Sequence, residues 1–154
     1  MVDSRSRSGA GESASGGSRA VRRIYAALAW ITWLCVIVQF FLAGLGTFAG
    51  SENWELHVTF VNYFEFLPVA MFLLSFFGRI RGGLRWIGLG LYALITFQHM
   101  SVEVFSGIGA IAALHTVVAL ALFAGSWYAA RRSRMWLLPG RTADAETGTT
   151  ISQG

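Results

Sequence analysis

A chain of 154 residues that is 55% hydrophobic and only 13% charged falls well below the roughly one-quarter charge of soluble domains. Its pI near 10 comes wholly from twelve arginines, since lysine is absent. They flank long apolar runs, which argues against nucleic acid and for a membrane surface. The single cysteine, Cys35, excludes an internal disulfide and a CxxCH haem attachment, and reads as a small core residue.

Residues 1–21 open with MVDSRSRSGAGESASGGSRA, Gly/Ser/Ala-rich and without apolar period, and are expected to be a disordered cytoplasmic tail. Residues 22–132 form the predicted membrane domain. Its four apolar stretches, at about 24–48, 56–77, 84–105 and 108–130, each reach the roughly 20 residues a helix needs to cross hydrocarbon. They are far too long for barrel strands. Residues 133–154 return to polar, Thr- and Gly-rich sequence and are expected to be a mobile cytoplasmic tail. The fold class is therefore all-α: a polytopic four-transmembrane-helix bundle.

The first stretch begins like a signal peptide, and Thr47-Phe48-Ala49 loosely resembles a cleavage site. Its apolar length of about 25 residues is too great for a typical signal. Orientation follows from arginine: five precede the first stretch, Arg79, Arg81 and Arg85 join the second to the third, and Arg131, Arg132, Arg134 and Arg141 follow the fourth. The other two loops hold only Glu52, Glu55 and Glu103. The positive-inside rule puts both termini in the cytoplasm and the chain in the cell membrane. Trp86, Trp127 and Trp136 fall near the inner interface and Trp54 near the outer one. Gly46, Gly50, Gly88, Gly90, Gly125, Ala121 and Ala129 suit close helix approach in lipid, or room for a flat cofactor.

The polar groups inside the apolar stretches carry the functional question. All three histidines, His57, His99 and His115, fall in the outer half. His99 and His115 each lie eight residues from Gly107, so a hairpin there brings them to similar depth. Counted from the inner arginines, His57 stands about 9 Å nearer the outside than His115 at 1.5 Å per residue. Two histidines on different helices can hold haem iron axially between apolar walls, and Phe40, Phe41, Phe60, Phe64, Phe97 and Phe105 supply walls. A three-histidine zinc or copper site lacks a supporting carboxylate or thiolate at diagnostic spacing. Glu65 lies about 12 Å deeper than His57, where a carboxylate is protonated or paired; Asn62 and Gln39 are its expected partners. Pro68 is expected to kink the second helix. No nucleotide-binding, zincin or hydrolase motif is present, so neither a catalytic residue nor a dedicated metal site is predicted.

The strings VQFFLAGLG (38–46), Leu56-His57 and ALHTVVALAL (113–122), closed by Arg131-Arg132, resemble a family of small four-helix membrane proteins known only as a domain of unknown function. That resemblance implies a fold and no activity. More distantly, the layout is similar to one four-helix half of haem A synthase, as in b-type cytochromes. That pattern sets a histidine on the second helix, a glutamine and an SG pair on the third, and a histidine before small residues on the fourth. His57, Gln98, Ser106-Gly107 and His115 match it, which implies His57 and His115 as axial ligands. Glu65 and the extra His99 have no counterpart there. Depth favours His99 with His115; the resemblance favours His57 with His115. Three functions follow: a haem b protein for electron transfer or haem handling; a cofactor-free accessory subunit packed on another membrane subunit or on itself; or a small proton- or ion-coupled carrier centred on Glu65. In each the lipid bilayer is the first partner.

Overall fold

A computed structural model of the chain describes residues 5–104 and 107–138, with side chains from residue 16 onward except at positions 111 and 112. Expectations for residues 1–4, 105–106 and 139–154 lie outside the described residues, including the Phe105 wall, Ser106 of the SG pair and most of the C-terminal tail. Among the described residues five α-helices form a four-rod bundle: α1 (Arg5–Phe48), α2 (Trp54–Phe64) continued by α3 (Leu67–Phe77), α4 (Gly83–Glu103) and α5 (Gly109–Ser133). Short 3-10 turns lie at Ser51–Asn53, between α1 and α2, and at Arg134–Trp136, after α5. No strand occurs among the described residues.

Two boundaries differ from expectation. α1 is 44 residues long, so helix runs through residues 5–20, which the composition reads as disordered. Extending an existing helix needs no new nucleus. The extension also finds a partner: the Ser18 hydroxyl and the Arg22 guanidinium both donate to the Gly78 carbonyl, at 3.3 and 2.9 Å. Second, among the described residues three segments rather than four are long and apolar enough to cross a membrane: Gly16–Phe48, Ser51–Phe77 and Ala113–Trp136. α4 has the length, 21 residues, but Arg85, Gln98, His99 and Glu103 dilute its apolar character. In the bundle it is nonetheless enclosed on two sides, packing against α3 and α5.

The kink expected at Pro68 falls at Glu65 and Phe66, where the helical hydrogen bonding is interrupted while both residues keep right-handed backbone. α2 ends at Phe64 and α3 begins at Leu67, with Pro68 in its first turn, where a missing N–H costs least. α3 packs its backbone on both α1 and α4, whereas the backbone of α2 packs mainly along α1. α3 closes with Ile80 N–H donating to Ser75 O at 2.8 Å and Arg79 N–H to Phe76 O at 3.2 Å. This is a Schellman cap, and Arg79 holds its left-handed position at φ 51°.

The core is stacked along the bundle axis. At the arginine end lie Tyr25, Ala29, Met71, Ile80, Ala129 and Ala130. There the Tyr25 hydroxyl donates to the Leu84 carbonyl, Trp136 packs edge-on to Tyr25 at 5.8 Å, and Arg85 lies 4.7 Å over Phe76. Val36, Phe64, Leu91, Ile95 and Leu122 form the middle layer, with Cys35 half-buried beside it. The glycines serve this packing. A Cβ on Gly88 would meet the Pro68 carbonyl oxygen at 2.5 Å, one on Gly46 the Trp54 indole at 2.6 Å, and one on Gly125 Leu91 Cδ2 at 3.0 Å; Gly90 faces open space. Outside the core, only 22% of the most apolar window of each candidate span is buried. Phe41, Phe48, Tyr63 and Phe77 stand outward at 65, 91, 81 and 73% exposure, which suits hydrocarbon as the surrounding medium.

Candidate functional site

Beyond the middle layer, on the side away from the arginines, α2 stands off α4 and α5 and leaves a cleft of about 600 Å³. That size lies within the usual range of small-molecule and cofactor sites, about 300–1,000 Å³. Its floor is Val36, Phe64, Ile95 and Leu122, the tips of the middle layer. Its polar lining is Gln39 from α1, His57 from α2, Gln98, His99 and Glu103 from α4, and His115 and Thr116 from α5. Each comes from the stretch of its helix that lies above the layer where the four passes close together.

α1 and α2 are stitched by a reciprocal pair. Gln39 Nε2 donates to the His57 carbonyl at 2.8 Å, and His57 Nδ1–H donates to the Gln39 carbonyl at 3.2 Å. A backbone carbonyl can only accept, so this bond sets the His57 tautomer and leaves Nε2 as its free nitrogen. Gln39 thus serves His57 rather than Glu65, as the sequence had suggested. The His57 and His115 rings are 6.3 Å apart between centres, inclined at 48°. His57 and His115 are thus neighbours, as the resemblance had favoured, although the depth offset of about 9 Å counted along straight helices had favoured His99.

His99 instead faces Glu65, Nδ1 to Oε2 at 3.9 Å, with side chains 30 and 22% exposed. At that distance the contact is a loose electrostatic one and not a hydrogen bond. Asn62 is on the outer surface of α2 and does not line the cleft. Of the expected aromatic walls, Phe40 and Phe64 line it, and Phe60 stacks behind Phe64 at 5.4 Å. Phe41 and Phe97 face outward at 65 and 37% exposure.

Three buried polar atoms around the cleft have no hydrogen-bond partner: Gln39 Oε1, Gln98 Oε1 and His115 Nδ1. Native interiors leave few such atoms unpaired, because each costs desolvation without return. All three border the cleft, where water or a polar ligand could meet them. The cleft also contains a residue that had been assigned elsewhere. Trp54, expected in the outer aromatic belt, turns its indole across Gly46 and stands 5.5 Å from the His57 ring. The signal in the sequence was Gly46, eight positions before a tryptophan across a tight connection.

Residues 39–104 match a family of unknown function, DUF6220. The chain resembles that family over less than half its length, from the Gln39 turn of α1 through α4. The match includes Gln39, His57, Glu65, Gln98 and His99 and stops short of His115. No curated protein and no solved structure matches the chain, so the likeness to haem A synthase rests on the quoted residues alone. Among the described residues no group of three or more histidine, cysteine, aspartate or glutamate side chains is disposed to hold a metal ion; His57 and His115 stand as a pair.

Proposed function

We propose that the cleft binds haem b between His57 and His115, in a membrane protein that carries electrons or handles haem. The observation that supports this most is the ring separation of 6.3 Å. At that separation the imidazoles of His57 and His115 would be the residues to hold a haem, which would supply the iron they ligate. The donor set is suitable: His57 has its Nδ1–H engaged by a carbonyl, the arrangement that orients ligating histidines. Haem, when bound, supplies a one-electron couple. The protein's own part is to hold the rings on α2 and α5, to exclude water with Val36, Phe64 and Leu122, and to meet polar edges with Gln39 and Gln98. No partner fixes the Gln98 amide oxygen, so that amide can turn to donate or accept.

In this reading both termini lie in the cytoplasm of a cell whose plasma membrane holds the protein, with α4 completing a fourth crossing. The gathering of Arg22, Arg79 and Arg85 at one end and of Glu52 and Glu55 at the other supports that orientation. The deciding experiment is an absorption spectrum of detergent-purified protein titrated with hemin. One haem per chain is expected, lost on His57→Ala or His115→Ala and kept on His99→Ala. Equal titration by all three variants refutes the assignment of ligands, and no Soret change in the wild type refutes the function.

A second reading, an accessory subunit, has one specific observation in its favour. Asn62 presents its amide outward from an apolar span, where an unpaired polar group favours helix–helix contact. Asn62→Leu that changes the oligomeric state in detergent supports it.

A further inference from the structure

We propose that the arginine end of α5 is a binding site for the headgroup of an anionic phospholipid. A concave site of about 430 Å³ is lined by Trp127, Tyr128, Arg131, Arg132, Arg134 and Met135. It lies at the opposite end of the bundle from the cleft and does not depend on what the cleft holds.

Charge makes the first part of the argument. One cation in the last turn of a helix is enough to complement its dipole, but here three guanidinium groups surround one hollow. Among the described residues none of the three has a carboxylate partner, the one such contact being His99 with Glu65. Guanidinium forks match phosphate oxygens two at a time, so the hollow suits a phosphate.

Position makes the second part. The wall of the hollow is rigid: the Trp127 ring packs on Trp33 at 4.9 Å and on Trp30 at 6.0 Å. Tyr128 reaches across to Gly83 at the start of α4. Beyond the turn at Arg134–Trp136, Met135 and Leu138 are 72 and 64% exposed, as expected of a segment that dips into an interface. Trp136 turns back onto Tyr25, with the Arg22 guanidinium 5.9 Å over its ring. From the hollow an apolar stripe runs back along α5 through Tyr128, Ala124, Leu120 and Val117, all exposed and three or four residues apart, so on one helix face. A free anion would use the arginines only. A diacyl lipid would use the arginines and lay its chains along the stripe, with the aromatic pair at the level between.

The test uses the full-length protein in detergent and native mass spectrometry with phosphatidylglycerol or phosphatidylcholine. One phosphatidylglycerol per chain is expected to persist at energies that strip phosphatidylcholine. Arg131→Gln and Arg134→Gln should each weaken it about fivefold, the worth of one basic residue at an anionic surface. Arg23→Gln, which removes the same charge from the neighbouring helix, should change it less than twofold, and millimolar glycerol phosphate should not displace it. Equal retention of the two lipids overturns the proposal. So does an equal loss in Arg23→Gln, which marks diffuse attraction, or displacement by glycerol phosphate, which marks a small-anion site. Should a variant fail to insert, Tyr128→Ala is read instead; it keeps every charge and should weaken phosphatidylglycerol while leaving inorganic phosphate unaffected, and unchanged lipid retention counts against the site.

Discussion

Gly88 and Gly90 sit two residues apart on α4 and make opposite predictions for the same substitution. A Cβ on Gly88 would stand 2.5 Å from Pro68 O and 2.9 Å from Phe72 N, both main-chain atoms of α3; one on Gly90 would have nothing within 4 Å. Flexible side chains can yield to a methyl group, but a helix backbone moves only as a body. Gly88→Ala must therefore push α3 and α4 apart by nearly an ångström and loosen the contacts of Met71 and Leu91 on either side. Overpacking of this kind costs about 1–3 kcal/mol, against which the better helix propensity of alanine returns at most about 1 kcal/mol. Gly90→Ala gains the propensity and incurs no clash. Unfolding in mixed micelles, titrated with sodium dodecyl sulfate and followed by tryptophan fluorescence, should show Gly88→Ala about 1–2 kcal/mol less stable than wild type. Gly90→Ala should be equal to wild type or slightly more stable. If the two variants unfold together, α3 and α4 do not approach as described and the break before Pro68 does not serve their contact.

Other outcomes are equally definite. Arg79 occupies a left-handed position at φ 51°, which disfavours a side chain by about 1 kcal/mol; Arg79→Gly should raise the unfolding midpoint in the same titration, and a lowered midpoint contradicts the cap. Gln39→Leu removes the 2.8 Å bond to the His57 carbonyl and should cost about 0.5–1.5 kcal/mol, the usual worth of an interhelical hydrogen bond in lipid. Hemin binding should weaken with the loss of an amide that meets the guest's polar edge but should not be abolished, because the His57 bond to the Gln39 main chain survives. Glu65→Gln leaves a neutral amide beside His99 and should alter stability by less than about 1 kcal/mol, since the pair is long and partly open. Proton-coupled uptake by wild-type proteoliposomes that this variant loses would instead favour a carrier. Gly46→Leu must displace the Trp54 indole and should weaken hemin binding more than it lowers stability, measured as a midpoint shift in each titration.

How much of this was readable in advance depends on the length scale of the signal. The apolar stretches and the arginine asymmetry span tens of residues, and they made the all-helical, membrane-like character legible, although α1 begins well before the expected start near residue 24. Pro68 marked the right place for a departure from straightness, because a missing N–H acts locally. Its consequence was not readable: whether a proline bends a helix or splits it depends on what packs on either side, here the Gly88 face of α4. The His57–His115 pair that the resemblance favoured is the one whose rings lie adjacent, while the depth count favoured His99 and Glu65 faces His99 rather than Asn62 or Gln39. Counting about 1.5 Å per residue gives depth along a straight rod, and the second pass is interrupted at Glu65 and Phe66. Gln39 was identified as a polar residue within reach of the second helix, but only the path of α2 decides between His57 and Glu65. α4 was expected to be as apolar as its neighbours; two flanking helices shelter Gln98 and His99, so its sequence can carry polar groups that a lone span would not.

That α2 is thinly packed has a consequence for motion. Local opening draws on the segments with the fewest buried contacts, and this eleven-residue helix rests its backbone mainly on α1 and buries only its last residue, Phe64, in the middle layer. Its amides should exchange with solvent deuterium before those of α3 or α5, while the middle layer stays closed. Swinging outward about Glu65 and Phe66, it would uncover the histidines from the side, so a bulky guest could arrive through the hydrocarbon without the rest of the bundle coming apart.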